Sequence, residues 1–139
     1  MNWNREDWEL EREVMKALGW DVSCNLYTSG NERINRFFLV DPNGLEYVEI
    51  RGVPENTLDG AWKRHWIVCQ NNYTQNLNDA YRLPLRDDYF LHLDRSAHGV
   101  NVASITKTNK KDAPILVEAI STSPCRAICV CWLEWRERK

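Results

Sequence analysis

The sequence predicts an α+β fold in which an antiparallel β-sheet carries helices at both chain ends. Three observations lead there. The closing segment, Ser121 to Lys139, reads as a capped amphipathic helix; the opening segment, Asn4 to Leu18, reads as another; and the residues between them alternate polar and apolar around turn signals.

In the closing segment Pro124 occupies a first helical position, with Ser123 or Thr122 before it as cap. Cys125, Ile128, Cys129, Trp132 and Trp135 recur at helical spacing along one stripe, and Arg136, Arg138 and Lys139 place positive charge at the negative end of the helix dipole. Such a stripe is not stable alone in water, so other elements must cover it. In the opening segment Asn4 is the expected cap, Leu10, Val14, Ala17 and Leu18 share a face, and Gly19 ends the helix.

Between the two, Trp20-Asp-Val leads into a polar stretch around Thr28-Ser-Gly-Asn-Glu, read as loop. Asn35 to Val40 and Leu45 to Ile50 flank Asp41-Pro-Asn-Gly44 and form a β-hairpin. Asp59 to Gln70 is ambiguous: Ala61, Trp62, Trp66 and Cys69 fit a helix, while His65-Trp-Ile-Val-Cys suits a strand, which is the reading preferred for its second half. Tyr73 to Leu83 is a short helix with Thr74 as cap and Leu77, Ala80 and Tyr81 facing inward, stopped by Pro84. Tyr89 to Asp94 and Val100 to Thr106 make a second hairpin around Ser96-Ala-His-Gly99, and Ile115 to Ile120 adds a strand. Thr106 to Asp112 is a solvated connection too short to divide domains, no internal repeat is visible, and residues 1–139 are expected to form one domain.

The 139 residues carry eighteen basic and twenty acidic side chains, a balance that argues against an extended nucleic-acid partner, which needs a basic stripe to release counterions. No apolar run is long enough to span a membrane. The polar, charged start lacks the apolar core of a secretory leader, which places the protein in the cytoplasm. Five cysteines, an odd number without C-x-x-C pairing, are expected to be free thiols. Cys125 and Cys129 share a helical face and can be imagined holding a metal with His92 or His98, but buried thiols commonly fill cores in reducing compartments, so no metal and no cofactor are expected.

Glu11-Arg-Glu-Val-Met-Lys-Ala-Leu-Gly-Trp20, Asp41-Pro-Asn-Gly44, Tyr73-Thr-Gln-Asn-Leu-Asn-Asp-Ala-Tyr81 and Ser123-Pro-Cys-Arg-Ala-Ile-Cys129 are four motifs whose order resembles the phage ABA sandwich domain. The resemblance implies an α-β-α layered sandwich encoded by a bacteriophage or prophage, and it supplies no reaction. The chain departs from that pattern in the aromatic and basic segment Trp62-Lys-Arg-His-Trp66 and in Asp79-Ala-Tyr81 of the middle helix. Small phage proteins of comparable build include sponges that capture nucleotide signals of bacterial immunity, an analogy of build only.

The densest aromatic and basic cluster is Trp62, Lys63, Arg64, His65, Trp66 and Tyr73, chemistry that suits a nucleotide, since rings stack on bases and cations meet phosphate. The competing reading makes the tryptophans core and the cations a solvated face. Arg82 and Arg86 can add phosphate contacts or, beside Asp87 and Asp88, form a surface ion network. His92 and Asp94 point to one strand face, with His98 across the turn, which is the place to look for acid-base or metal chemistry. No catalytic motif surrounds Ser104, Ser121 or Ser123. The expectation is therefore a binding protein for a small anionic nucleotide ligand, with Trp62, Lys63, Arg64, Trp66, Tyr73, Arg82 and Arg86 as its site. The alternatives are an inhibitor of a host protein or an enzyme that degrades the signal. The abundance of tryptophan and tyrosine also predicts a homo-oligomer.

Overall fold

The computed structural model describes residues 6–69, 72–96, 98–107 and 113–138. The elements run α1 (Asp7–Ala17), β1 (Asp21–Ser29), β2 (Glu32–Val40), β3 (Glu46–Ile50), a 3-10 turn (Pro54–Asn56), α2 (Leu58–Val68), α3 (Leu77–Tyr81), β4 (Phe90–Arg95), β5 (Asn101–Thr106), β6 (Ile115–Ser121) and α4 (Pro124–Glu137). This is the expected α+β class, with helices near both ends and antiparallel strands between. The strands divide into two three-stranded sheets, β1-β2-β3 and β4-β5-β6, each a simple meander. The order α-βββ-α is thus run through twice, a repetition of architecture that the residues do not display.

Two local readings change. The loop expected around Thr28-Ser-Gly-Asn-Glu shrinks to a turn at Gly30 and Asn31, and the stretch leading into it from Asp21 is strand β1, paired with β2 from Asp21 opposite Val40 to Ser29 opposite Glu32. Only Val22 of its alternating inward residues is buried, so polar Ser23, Asn25 and Thr28 masked the period, while Gly30, at a φ of +63°, makes the tight turn to β2. The second half of Asp59–Gln70 is helix rather than strand, as far as the described residues go. Thr57 caps α2 by accepting from the Gly60 amide, and the β-favouring run from His65 to Val68 continues a helix already nucleated.

The caps sort the remaining helices. Ser123 accepts from the Arg126 amide at the start of α4, as anticipated. Asn76, not Thr74, caps α3, because the Thr74 hydroxyl is engaged by the Trp66 indole at 2.9 Å and by Asn72 at 3.2 Å. Helix α1 begins at Asp7, and the expected cap Asn4 lies outside the described residues. So does most of the Thr106–Asp112 connection.

Each sheet buries one face against helices. The stripe of α4 covers the inner face of β5 and β6, where Ala103, Ile105 and Val117 meet Ile128, Cys129 and Trp132. On the other sheet Val22, Phe37, Leu39 and Ile50 meet Ala61 and Trp62 of α2. Helix α1 belongs to both cores, giving Leu10 and Val14 to the first and Met15 to the second. Polar tethers hold it there, among them Asp7 to Arg126 of α4 at 2.7 Å, Arg12 to Asp59 of α2 at 2.9 Å, and Glu11 to the turn before α3. Glu11 is only 2% exposed, and its two carboxylate oxygens accept the Tyr73 and Thr74 amides at 2.7 and 3.1 Å. Burial pushes its pKa up to about 7 against the lowering effect of those two amides. No described helix is long and apolar enough to cross a membrane.

Candidate functional site

The structure does not gather the aromatic and basic cluster of the α2 region into one site. Trp62 is 4% exposed and packs in the first sheet's core. Lys63 points to solvent, Arg64 donates to the Arg51 carbonyl at 3.3 Å, and burial lowers the pKa of the half-buried His65. The Trp66 indole is bound to Thr74, and Tyr73 packs between the two cores, its phenol pKa raised chiefly by burial. Arg82 is an exposed residue closing α3.

Arg86 lies elsewhere and in different company. A 14-residue helix places Trp132, Trp135 and Arg136 within its last two turns and Arg138 as the residue that caps its end. The Trp132 indole donates to the Pro84 carbonyl at 2.8 Å and so pins the segment from Pro84 to Tyr89 against α4. Tyr89 meets Trp135 edge to face, ring centroids 5.2 Å apart. The Arg86 guanidinium then lies over both rings, 5.6 Å from the Tyr89 centroid and 5.5 Å from that of Trp135. Arg136 lies 5.0 Å over Trp132 and donates to the Ala17 carbonyl, while Arg138 donates to the Leu116 carbonyl at 2.7 Å.

Two adjoining clefts result, both bordered by Arg86 and Trp135. One, of about 290 Å³, adds Tyr89, Leu116 and Arg138; the other, of about 200 Å³, adds Pro84, Trp132 and Arg136. No acidic side chain lines either cleft, so Asp87 and Asp88, exposed in the neighbouring segment, stay outside them. The C-terminal end of α4 contributes a negative pole of roughly half a charge, well short of three guanidiniums. The arrangement can stack a planar group against rings or a guanidinium plane and meet an anion with forked donors. For proton transfer the lining offers Tyr89 alone, since the others are arginine, proline, tryptophan and aliphatic residues.

The other candidates stay dispersed. His92 and Asp94 do share a face of β4, but His92 Nε2 lies 2.8 Å from Thr106 Oγ1 and His98 is exposed on the turn. Among the described residues no group of His, Cys, Asp and Glu is arranged to hold a metal ion. Cys125, Cys129 and Cys131 are buried free thiols, Cys129 donating to the Tyr73 carbonyl, and burial raises all three pKa values, that of Cys131 to about 12. Thiols so held stay protonated and unreactive.

Of the expected site residues only Arg86 enters these clefts; by sequence Tyr89, Trp132, Trp135, Arg136 and Arg138 are strand, core stripe and dipole complement. The available signal was Trp132, Trp135, Arg136 and Arg138 at helical spacing, which puts cations beside rings as well as behind them. Comparison with protein families, with curated proteins and with solved structures finds no match to this chain, so its likeness to the phage ABA sandwich domain rests on the four motifs alone.

Proposed function

We propose that the protein binds a small, planar, anionic ligand of nucleotide type in the paired clefts around Arg86, and releases it unchanged. One observation carries this reading: Arg86, Arg136 and Arg138 converge on Tyr89, Trp132 and Trp135 in clefts that no carboxylate lines. Binding without turnover is supported by the lining, which holds no metal ligand and no histidine, and whose single nucleophile, the Tyr89 phenol, has no base beside it in the lining to activate it. In the phage setting that the resemblance implies, such a ligand is a nucleotide signal of host immunity, and holding it removes it from its receptor. Membership of that phage family is part of the proposal.

The test is incubation of the protein with cyclic di- and trinucleotides and cyclic ADP-ribose isomers, with chromatography of the solution before and after heat denaturation. A ligand that disappears and returns unchanged on heating supports sequestration; one that returns as a new species makes the protein an enzyme. Arg86→Ala combined with Arg138→Ala is expected to weaken capture by about 100-fold, on the scale of two lost charge-assisted contacts. Capture abolished by Arg64→Ala instead moves the site to the α2 cluster.

A protein partner is the second reading, favoured by the exposed Leu26, Tyr27 and Ile34 on the β1–β2 hairpin. Depletion of no nucleotide in the panel shifts the assignment to it. Exposed Leu45, Tyr47 and Ile120 support self-association in addition, and sedimentation as a monomer at micromolar concentration removes that part of the proposal.

A further inference from the structure

The first sheet opens beyond the pairing of Phe37 with Ile50. Phe37 of β2 pairs with Ile50 of β3, but Arg51 and Gly52 do not continue opposite Arg36 and Asn35. The chain turns away there, Gly52 at a φ of +69°. Residues 32–36 of β2 therefore pair with β1 on one edge, and no described strand pairs with the other. On that open edge alternate residues present a backbone N–H and C=O pair. A cleft of about 340 Å³ fills the gap, with Ile34, Asn35 and Arg36 on the strand side and Arg51, Val53 and Asn56 on the loop side.

The loop wall is held in place by close packing. The Pro54 carbonyl sits where a side chain on Gly60 would be, 2.1 Å from an ideal Cβ. Glu55 and Asn56 both adopt left-handed backbone, at φ of 60° and 53°, a conformation that residues other than glycine seldom take.

Charge gives the cleft a direction. Arg36 is matched by Glu49 through two hydrogen bonds of 2.9 and 2.6 Å. Arg51 lies 3.8 Å from the same carboxylate with its side chain 86% exposed, and the Arg64 guanidinium backs Gly52. Two guanidiniums, those of Arg36 and Arg51, thus face one carboxylate where β3 departs, which leaves positive charge in excess. A strand added along β2 toward that end meets Ile50, already paired with Phe37, and must stop. An amino terminus stopping there sets one cation against others; a carboxylate is matched.

We propose that this cleft receives the carboxyl-terminal end of an extended peptide, which adds to β2 as a parallel strand with its carboxylate at Arg51. The ladder on residues 32–36 supplies affinity that does not depend on sequence, and Ile34 and Val53 select an apolar side chain near the terminus. The site is separate from the Arg86 clefts and does not depend on what they bind.

The experiment is affinity selection from a randomised hexapeptide library with free carboxyl ends, beside the same library with amidated ends. It is followed by ¹⁵N–¹H spectra of the protein with the retained peptides. Peptides with free carboxylates are expected to be retained, to shift amides within 32–36 and 51–53, and to lose affinity at least about tenfold on amidation or in Arg51→Ala, but not in Arg86→Ala. The exposure of Arg51 leaves that variant folded, and Arg51→Lys is expected to restore part of the binding. Equal retention of both libraries, retained peptides that leave the 32–36 amides unmoved, or shifts of those amides on concentrating the protein alone would each overturn the proposal, the last by giving the edge to a second copy.

Discussion

The unit built on β4–β6 and the unit built on β1–β3 have the same element order but differ in finish. In the first, α4 lies along the sheet, and Ala103, Ile105, Ile128, Cys129 and Cys131 are wholly covered, with Trp132 nearly so. In the second, α2 covers less, the sheet frays after Ile50, and Leu26, Ile34, Val48, Ile67 and Val68 remain exposed. Helix length explains much of this: α4 has 14 residues and a continuous apolar stripe, while α2 has 11 and buries only Gly60, Ala61 and Trp62. Both leave apolar residues at the surface, Ile115 and Ile120 among them in the first, but the first buries the larger core. Uneven burial of this kind implies uneven local stability.

The sharpest way to break the comparison is to remove the central tryptophan from each core. Trp132→Ala and Trp62→Ala are each expected to cost about 3–5 kcal/mol, read from denaturant midpoints. Hydrogen exchange separates them: Trp132→Ala lowers protection in both sheets, Trp62→Ala chiefly in β1–β3. Equal loss everywhere in both variants would mean that the units unfold as one.

Next is the joint between them. Glu11→Ala leaves the buried Tyr73 and Thr74 amides without acceptors, at about 2–4 kcal/mol. The wild-type carboxyl also makes stability depend on pH. Its folded pKa of about 7 stands above the ordinary 4.5, so the folded state binds this proton more tightly. That contribution is complete below pH 4.5, is lost as pH rises through 7, and amounts to at most about 3 kcal/mol. Urea midpoints between pH 4 and 8 are expected to show this slope in the wild type and to lack it in Glu11→Gln.

The smallest effect sharpens the comparison at the frayed sheet. Gly60→Ala gains about 1 kcal/mol of helix propensity, but its Cβ meets the Pro54 carbonyl, and the clash wins. A net loss of about 1–2 kcal/mol is expected, with amide shifts confined to residues 51–60. A gain in melting temperature would show that the loop yields freely.

What the sequence disclosed follows from how local each signal is. Helix α4 could be read because Ser123, Pro124 and five stripe residues lie in one short window, β4 and β5 because apolar and polar residues alternate on either side of a turn signal, and β6 because it is a short apolar run before the α4 cap. Strand β1 could not, since its inward positions beyond Val22 are scarcely buried and carry little hydrophobic signal. The run from His65 to Val68 has strand propensity that an established helix overrides. The split into two sheets is a matter of pairing between distant segments, which no window reports. The Arg86 clefts fail for the same reason: Arg86, Leu116 and Trp135 come from three parts of the chain, brought together by the packing of α4 on both β6 and the Pro84–Tyr89 segment.

The tethers of α1 set the order in which the molecule can be completed. Asp7 meets Arg126 at a sequence separation of 119, and the Arg136 contact with Ala17 spans as much. Closing a loop of that length is slow compared with forming a hairpin. A chain emerging from the ribosome holds the first helix long before its partner exists, so Leu10 and Val14 stay uncovered until α4 arrives. Synthesis interrupted before Pro124 leaves that apolar face open to aggregation and to chaperones.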